Sequence, residues 1–301
     1  MAETILHHYP GSPYAHKVRV VLGIKGLAWR SVTIPNMMPK PDLMPLTGGY
    51  RKTPVMQIGA DIYCDTQLIV RELERRFPEP TLFPGASRGL GEGLGWWAER
   101  GLFNPAVGLV FAKVGESLPQ AFRDDRAKFS GRDFNPERTK AAEPVMLATV
   151  RAQLAWLENT FADGRKFLFG DRVSSADASL YHMVWFVRRS RGDVLAEFPS
   201  VLAWADRMAA IGIGNPTELD SKEALAIAKA ARPDELAPRH DGSGPALGSR
   251  VTVTADDSGR DPVAGELVSL SRQEIVIVRS APEVGEVAQH FPRAGFVLAA
   301  A

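Results

Sequence analysis

Three short segments put polar side chains where the backbone itself carries charge. In Tyr9-Pro-Gly-Ser-Pro-Tyr-Ala-His-Lys-Val-Arg19 a hydroxyl, Ser12, precedes a proline at the opening of a helical apolar series, Val18, Val21 and Leu22. The first turn of a helix presents free N–H groups and the positive end of the peptide dipoles. An anion is favoured there, and a thiol held nearby ionises below its usual pKa of about 8.5. The chain offers no cysteine at this turn, so Ser12 is either a helix cap alone or the hydroxyl partner of a thiolate brought in from outside. Lys52-Thr53-Pro54-Val55 sets an X-Pro pair at the head of a strand. Cys64-Asp65-Thr66-Gln67 puts an acid and a hydroxyl at the head of another helix, where Asp65 reads as an N-cap or as a ligand. His7, His8 and His16 have no acids at ligand spacing, and no metal is expected.

The remaining composition narrows what such a site could serve. At 301 residues the chain is long enough for roughly two domains with full cores. Lys plus Arg number 36 against 35 acids, so net charge gives no reason to expect nucleic acid or an anionic membrane as partner, and a small molecule is expected instead. A single cysteine, Cys64, excludes an internal disulfide and fits a reducing cytoplasm; it reads as a small buried apolar residue. Met1 to Tyr9 lacks the basic-then-apolar pattern of a signal peptide, and nowhere do about 18 apolar residues run together.

The elements that must position these residues follow from periodicity. Thr4 to Tyr9 reads as a strand, followed by a helix from Ser12-Pro13 to Gly26 and a strand at Trp29 to Ile34. A Pro-rich stretch, Pro35 to Pro45, leads to a hairpin of Val55 to Ile58 and Ile62 to Cys64. A helix bearing Leu68, Ile69, Leu73 and Phe77 then stops at Pro78-Glu79-Pro80. From 88 to 232 strand signals vanish. Met146, Val150, Leu154, Leu157 and Phe161 share one helix face, and Ser174-Ser175-Ala176-Asp177 is a capping box ahead of Leu180, Tyr181, Val184 and Val187. Pro199 to Ile211 and Thr217 to Ala231 complete an all-helical domain, with Arg123 to Lys140 as its long loop. After a Pro, Gly and Asp-rich linker at 233–248, residues 249–301 hold five short strands: Arg250 to Ala255, Val263 to Leu270, Glu274 to Arg279, Gly285 to His290 and Phe296 to Ala299. They suggest a small barrel or roll of unassigned role.

Taken in order, Ser12-Pro13-Tyr14-Ala15, Thr53-Pro54, Asp65-Thr66 and the Ser174 to Asp177 box resemble the serine-type glutathione transferases over about residues 4 to 232. The resemblance implies an α/β thioredoxin-like domain at 1–84 and an all-α helical bundle domain at 88–232, to which this chain adds a small all-β C-terminal module. It further implies glutathione as co-substrate, a small electrophile as second substrate, a cytoplasmic location and a homodimer. Ser12 matches the hydroxyl that stabilises the glutathione thiolate, and with Ala15 it leaves both redox positions of glutaredoxin-like relatives without sulfur. Thr53-Pro54 matches the cis-proline motif that binds the cysteinyl backbone. Asp65-Thr66 matches the Glu-Ser pair, its hydroxyl and N–H taking the γ-glutamyl carboxylate while the acid faces the ammonium. Lys52 and Lys40 would meet the glycyl carboxylate, and Trp96, Trp97, Phe103 and Phe111 would wall an electrophile pocket between the domains. Because 249–301 lies outside the resemblance, the same fold kept as a binding or assembly module with little or no catalysis is the alternative.

Overall fold

A computed structural model describes residues 3–235 and 237–301. The first strand, β1 (Ile5–His8), is buried along its whole length and delivers the chain to α1 (Pro13–Ile24). Strand β2 (Ala28–Thr33) returns parallel to it, with Ile5 opposite Arg30. One short turn, α2 (Met44–Thr47), interrupts the Pro-rich stretch, and the expected hairpin follows as β3 (Val55–Ile58) and β4 (Asp61–Cys64). The next helix is α3 (Thr66–Arg76), which packs beside α1 over the sheet. Val18, Val21, Leu22, Ile69 and Leu73 fill this layer because helical spacing puts them on the sheet-facing sides. Gly23 is needed where α1 meets the rest of the chain: a Cβ there would lie 2.3 Å from the carbonyl oxygen of Gly212.

The helical domain holds α4 (Arg88–Trp97), α5 (Phe103–Val114), α6 (Gln120–Ser130), α7 (Pro136–Ala141), α8 (Glu143–Thr160), α9 (Ser175–Leu195) and α10 (Pro199–Ile211), with a π-helical turn at Ala98–Leu102 between the first two. Arg123 to Lys140, expected as a loop, is thus mostly helix. Its helices escape a periodicity argument because α6 buries Asp125 rather than an apolar stripe, and α7 buries nothing. The capping box forms in full: Asp177 accepts from the Ser174 N–H at 2.9 Å and also from the Leu168 N–H and the Trp204 indole, each at 2.9 Å. One buried carboxylate therefore ties the start of α9 to α10 and the preceding loop.

Beyond α10 the chain returns to the first domain. Strand β5 (Asn215–Glu218) pairs parallel with β2, and α11 (Ser221–Ala230) packs against β2 and α2. Thr217 to Ala231 therefore begins as strand and sits with the sheet, not with the helices. β5 has no apolar alternation to betray it, since all four of its residues are exposed and only backbone pairing holds them.

The C-terminal strands β6 (Arg250–Ala255), β7 (Val263–Leu270), β8 (Glu274–Ala281), β9 (Gly285–Pro292) and β10 (Phe296–Ala300) form an antiparallel sheet that does not close into the expected barrel. Its edge strand β9 instead pairs parallel with β4, Ile62 opposite Gln289 and Tyr63 opposite His290. The result is one ten-stranded sheet in the order β10-β6-β7-β8-β9-β4-β3-β1-β2-β5. Ile5, Val32, Leu46, Ile62 and Cys64 share a core with Val251, Leu267, Ile277 and Phe291 across that join.

A charge also crosses it. His290 stacks on Tyr63 with ring centres 4.4 Å apart, its Nε2 donating to Asp61 at 2.9 Å and its Nδ1 to Glu274 at 2.8 Å. Burial disfavours the imidazolium, but the hydrogen bonds and charges of Asp61 and Glu274 outweigh it and push the His290 pKa up to about 9. A raised folded-state pKa stabilises fully below the unfolded value of about 6.5, and that contribution disappears as pH climbs through about 9. Denaturant unfolding of the wild type is therefore expected to lose up to about 3 kcal/mol between pH 7 and pH 10 from this group. A His290→Leu variant should be less stable at pH 7 by about 3–5 kcal/mol, because Asp61 is left buried and unpaired, and should show a shallower pH slope.

Candidate functional site

Ser12 occupies the N-cap of α1 in extended geometry, φ −74° and ψ 121°. Its Oγ accepts from the Ala15 N–H at 3.1 Å, which leaves its own hydrogen free to donate, and Pro13 gives up an N–H that the first turn would not use. Ser12 is only 2% exposed. Half-buried Tyr9 stands beside it. Burial raises the Tyr9 phenol pKa, while the Arg126 guanidinium and the Ser12 hydroxyl pull against that shift. Sequence reasoning took Tyr9 as the mere end of a strand, although its position three residues before Ser12 was the available signal.

The Thr53–Pro54 bond is cis. Lys40 reaches this turn from below, donating to the Thr53 hydroxyl and to the Arg51 carbonyl, each at 2.9 Å. It is 3% exposed, and burial together with Arg126 and Arg51 pushes its pKa down to about 8. Lys40 is thus a support for Thr53 and not an open cation on the rim. Arg51 and Arg126 both bind Asp125, and both guanidinium groups lie over the Phe129 ring, at 5.3 and 4.9 Å. Three cations here answer to one carboxylate, beside Tyr9. Arg126 and Asp125 were not readable as site residues because α6, which brings them in, was not readable as a helix. Lys52 points to the other side, paired with Asp257 of the C-terminal module and 5.8 Å from the centre of the Phe296 ring.

Asp65 caps α3, accepting from the Gln67 N–H at 2.9 Å, and has φ 74°, the one positive φ outside glycine among the described residues. Such a conformation costs about 1–3 kcal/mol and persists only where surroundings impose it. Burial and the nearby Glu99 raise the Asp65 pKa, opposed by Lys52 and Lys17. The Thr66 hydroxyl, expected to greet a carboxylate, is already spent: it donates to Glu99 Oε1 at 2.9 Å and accepts from Lys17 at 3.1 Å, inside a buried Lys17–Glu99 ion pair of 2.6 Å. For an anion, the backbone N–H groups at the start of α3 remain.

The four aromatic candidates separate. Phe103 packs 4.9 Å from Tyr14, near the start of α1, and Trp96 lies under the Arg100 guanidinium at 4.4 Å, facing Gly295 of the module. Phe111 packs with Phe122 and Phe134 inside the helical domain. Trp97 turns away too, packing at a tilt against Trp156 and lining a cavity of about 360 Å³ with Leu94, Leu157, Leu168 and Leu180. That cavity belongs to the helical bundle and not to the Ser12 turn. The histidines are structural: His7 bonds Gln57 at 2.9 Å, His8 bonds Ser31 at 3.1 Å, and His16 stacks on Trp185 at 4.1 Å.

Residues 6–81 match the model of the glutathione S-transferase N-terminal domain and residues 119–207 that of the C-terminal domain. A GST-like protein from Pseudomonas syringae, known from its crystal structure, is 39% identical with TM-score 0.78, each chain covering 100% of the other. The chain belongs to the glutathione S-transferase family. Its likeness to the Pseudomonas syringae chain covers the whole length and so extends over the C-terminal strands. A probable glutathione S-transferase of Solanum tuberosum is 26% identical over 214 residues, 68% of this chain and 86% of that one. A glutathione S-transferase structure from Rhodospirillum rubrum F11 is 22% identical with TM-score 0.56, covering 69% of this chain and 88% of its own, and speaks for the fold alone. Among the described residues no helix is long and apolar enough to cross a membrane.

Two tests follow from the burial of these groups. Lys17→Met should lower stability by about 3–5 kcal/mol in denaturant unfolding, since the Glu99 carboxyl is left buried without its partner. Cys64 is 0% exposed and its thiol is pushed up to about 12 by burial, so a thiol reagent at pH 8 should label the denatured chain once and the native chain negligibly within the same time.

Proposed function

We propose that this transferase-family protein binds glutathione and holds its sulfur as thiolate at the start of α1 for attack on a small electrophile. The observation that carries the reading is Ser12: a cap whose Oγ accepts from the helix while its hydrogen stays available for sulfur. Lowering a thiol pKa by two units takes about 2.7 kcal/mol. A hydrogen bond to a charged group contributes about 1.5–3 kcal/mol and a helix N-terminus about 0.3–2, so the two together suffice. Thr53, ahead of its cis proline, takes the cysteinyl backbone. The start of α3 takes the γ-glutamyl carboxylate and Asp65 its ammonium. The glycyl carboxylate is met by Arg51 and Arg126, where cations outnumber acids, and Lys52 is released from that role by Asp257. In keeping with the family, the proposal includes a homodimer in a reducing cytoplasm, the latter supported by a lone, buried Cys64.

Two observations favour a second reading, a binding or assembly module: Ser12 is almost fully covered, and the C-terminal module leans on the rim of the same site. Titrating bound glutathione by thiolate absorbance separates the two. The catalytic reading expects a thiol pKa at least about one unit below that of free glutathione, rising by about one unit or more in Ser12→Ala, with loss of turnover of a chromogenic aryl halide. Binding with an unshifted pKa and no turnover supports the module instead.

A further inference from the structure

The loop between β6 and β7 reaches from the C-terminal module to three other parts of the chain. Asp257 pairs with Lys52, beside Thr53; Asp256 accepts from Arg100 of the π-helical turn at 2.6 Å; and the Gly259 N–H donates to the Phe129 carbonyl of α6 at 2.8 Å. The loop is braced from within, Arg260 donating to the carbonyls of Asp256 and Asp257, each at 3.1 Å, and the Asp256 N–H donating to the Gly295 carbonyl at 3.0 Å. Gly259 has φ 60°, and a Cβ there would come within 2.7 Å of the Phe129 ring, so the contact with α6 is close.

Its effect on Asp65 is electrostatic. Val55 pairs with Cys64, so Lys52 and Asp65 lie at the same end of the β3–β4 hairpin, and Lys52 and Lys17 are the cations that bear on the Asp65 carboxylate. Each is held by another acid, Lys52 by Asp257 and Lys17 by Glu99. Asp65 is thus a capping carboxylate whose nearby cations are engaged elsewhere, a site that gains by receiving a cation from outside.

We propose that Asp257 is a positioning and specificity residue for the amino-acid head of the tripeptide: by holding Lys52 it keeps Asp65 open to an α-ammonium. The ligand class selected is a γ-glutamyl peptide with a free α-amino group. The C-terminal module completes the binding site within one chain, which gives the added strands a function at the site. This inference rests on the glutathione-binding reading above.

Calorimetric titration of the full-length protein tests it, using glutathione and its analogue with a glutaryl group in place of γ-glutamyl, which lacks the α-ammonium. Wild type should bind glutathione about tenfold or more tightly than the analogue. Asp257→Asn frees Lys52 to pair with Asp65, so glutathione affinity should fall about tenfold and the preference should shrink to about threefold or less. Adding Lys52→Gln to that variant removes the intruding cation and should restore most of both. A merely structural role for the loop predicts no such rescue, and circular-dichroism melting confirms that each variant is folded. Tighter binding by Asp257→Asn overturns the inference, because Asp257 would then be masking Lys52 from the ligand. An unchanged preference, or no rescue, overturns it as well. If wild type binds both peptides equally, this inference alone fails; if it binds neither, the glutathione reading fails and takes the inference with it.

Discussion

The buried pair of Lys17 and Glu99 sets the geometry on which the site depends. Lys17 belongs to the second turn of α1, Glu99 to the π-helical turn of the helical domain, and the Thr66 hydroxyl at the head of α3 lies between them. Three elements from two domains are therefore fixed to one another through three short polar contacts in a medium with little water to replace them. Breaking such a pair is costly even where forming it gains little, because either ion left alone is desolvated. The two helix starts that offer partial positive charge, at Ser12 and at Thr66, are consequently held at one spacing. A ligand that bridged them would meet a preformed frame, which limits the ordering cost of binding.

Much of this was legible in the chain. The module strands Arg250 to Ala255 and Val263 to Leu270 have the bounds that the sequence suggests, because one buried face imposes a period of two, and Val55 to Ile58 is bounded by its proline and its turn. The Ser174 to Asp177 box is local and self-satisfying, so its four residues suffice to reveal it. What stayed hidden is what long-range pairing decides. β5 is written in exposed residues, α6 buries an acid for the sake of Arg51 and Arg126, and the join of β4 to β9 links positions more than two hundred residues apart. The candidate site divides the same way. Ser12, the Thr53–Pro54 turn and Asp65-Thr66 announce themselves by local spacing. Tyr9, Arg51, Glu99, Arg126 and Asp257 matter only through neighbours the fold supplies.

Charge is distributed over this region with little excess left at individual acids. Asp125 serves two guanidinium groups, Asp256 and Asp257 serve Arg100 and Lys52, and Glu99 serves Lys17. Near-cancellation of 36 basic and 35 acidic residues over the whole chain thus conceals a strongly structured local pattern. Overall charge speaks to solubility and encounter with polyanions; the site is specified by which ion is already satisfied and which is not.

The continuous sheet also settles what happens at its borders. A thioredoxin-like sheet ending at β4 would leave a row of unpaired amide groups along that strand, the kind of border along which foreign strands add and proteins polymerise. Here β9 occupies it. The opposite border is β5, four residues long and interrupted by Pro216, which has no N–H to offer a newcomer. Joining the module at β4 therefore passivates the flank nearest the Thr53 turn and moves the other free margin out to β10, five strands away from the chemistry.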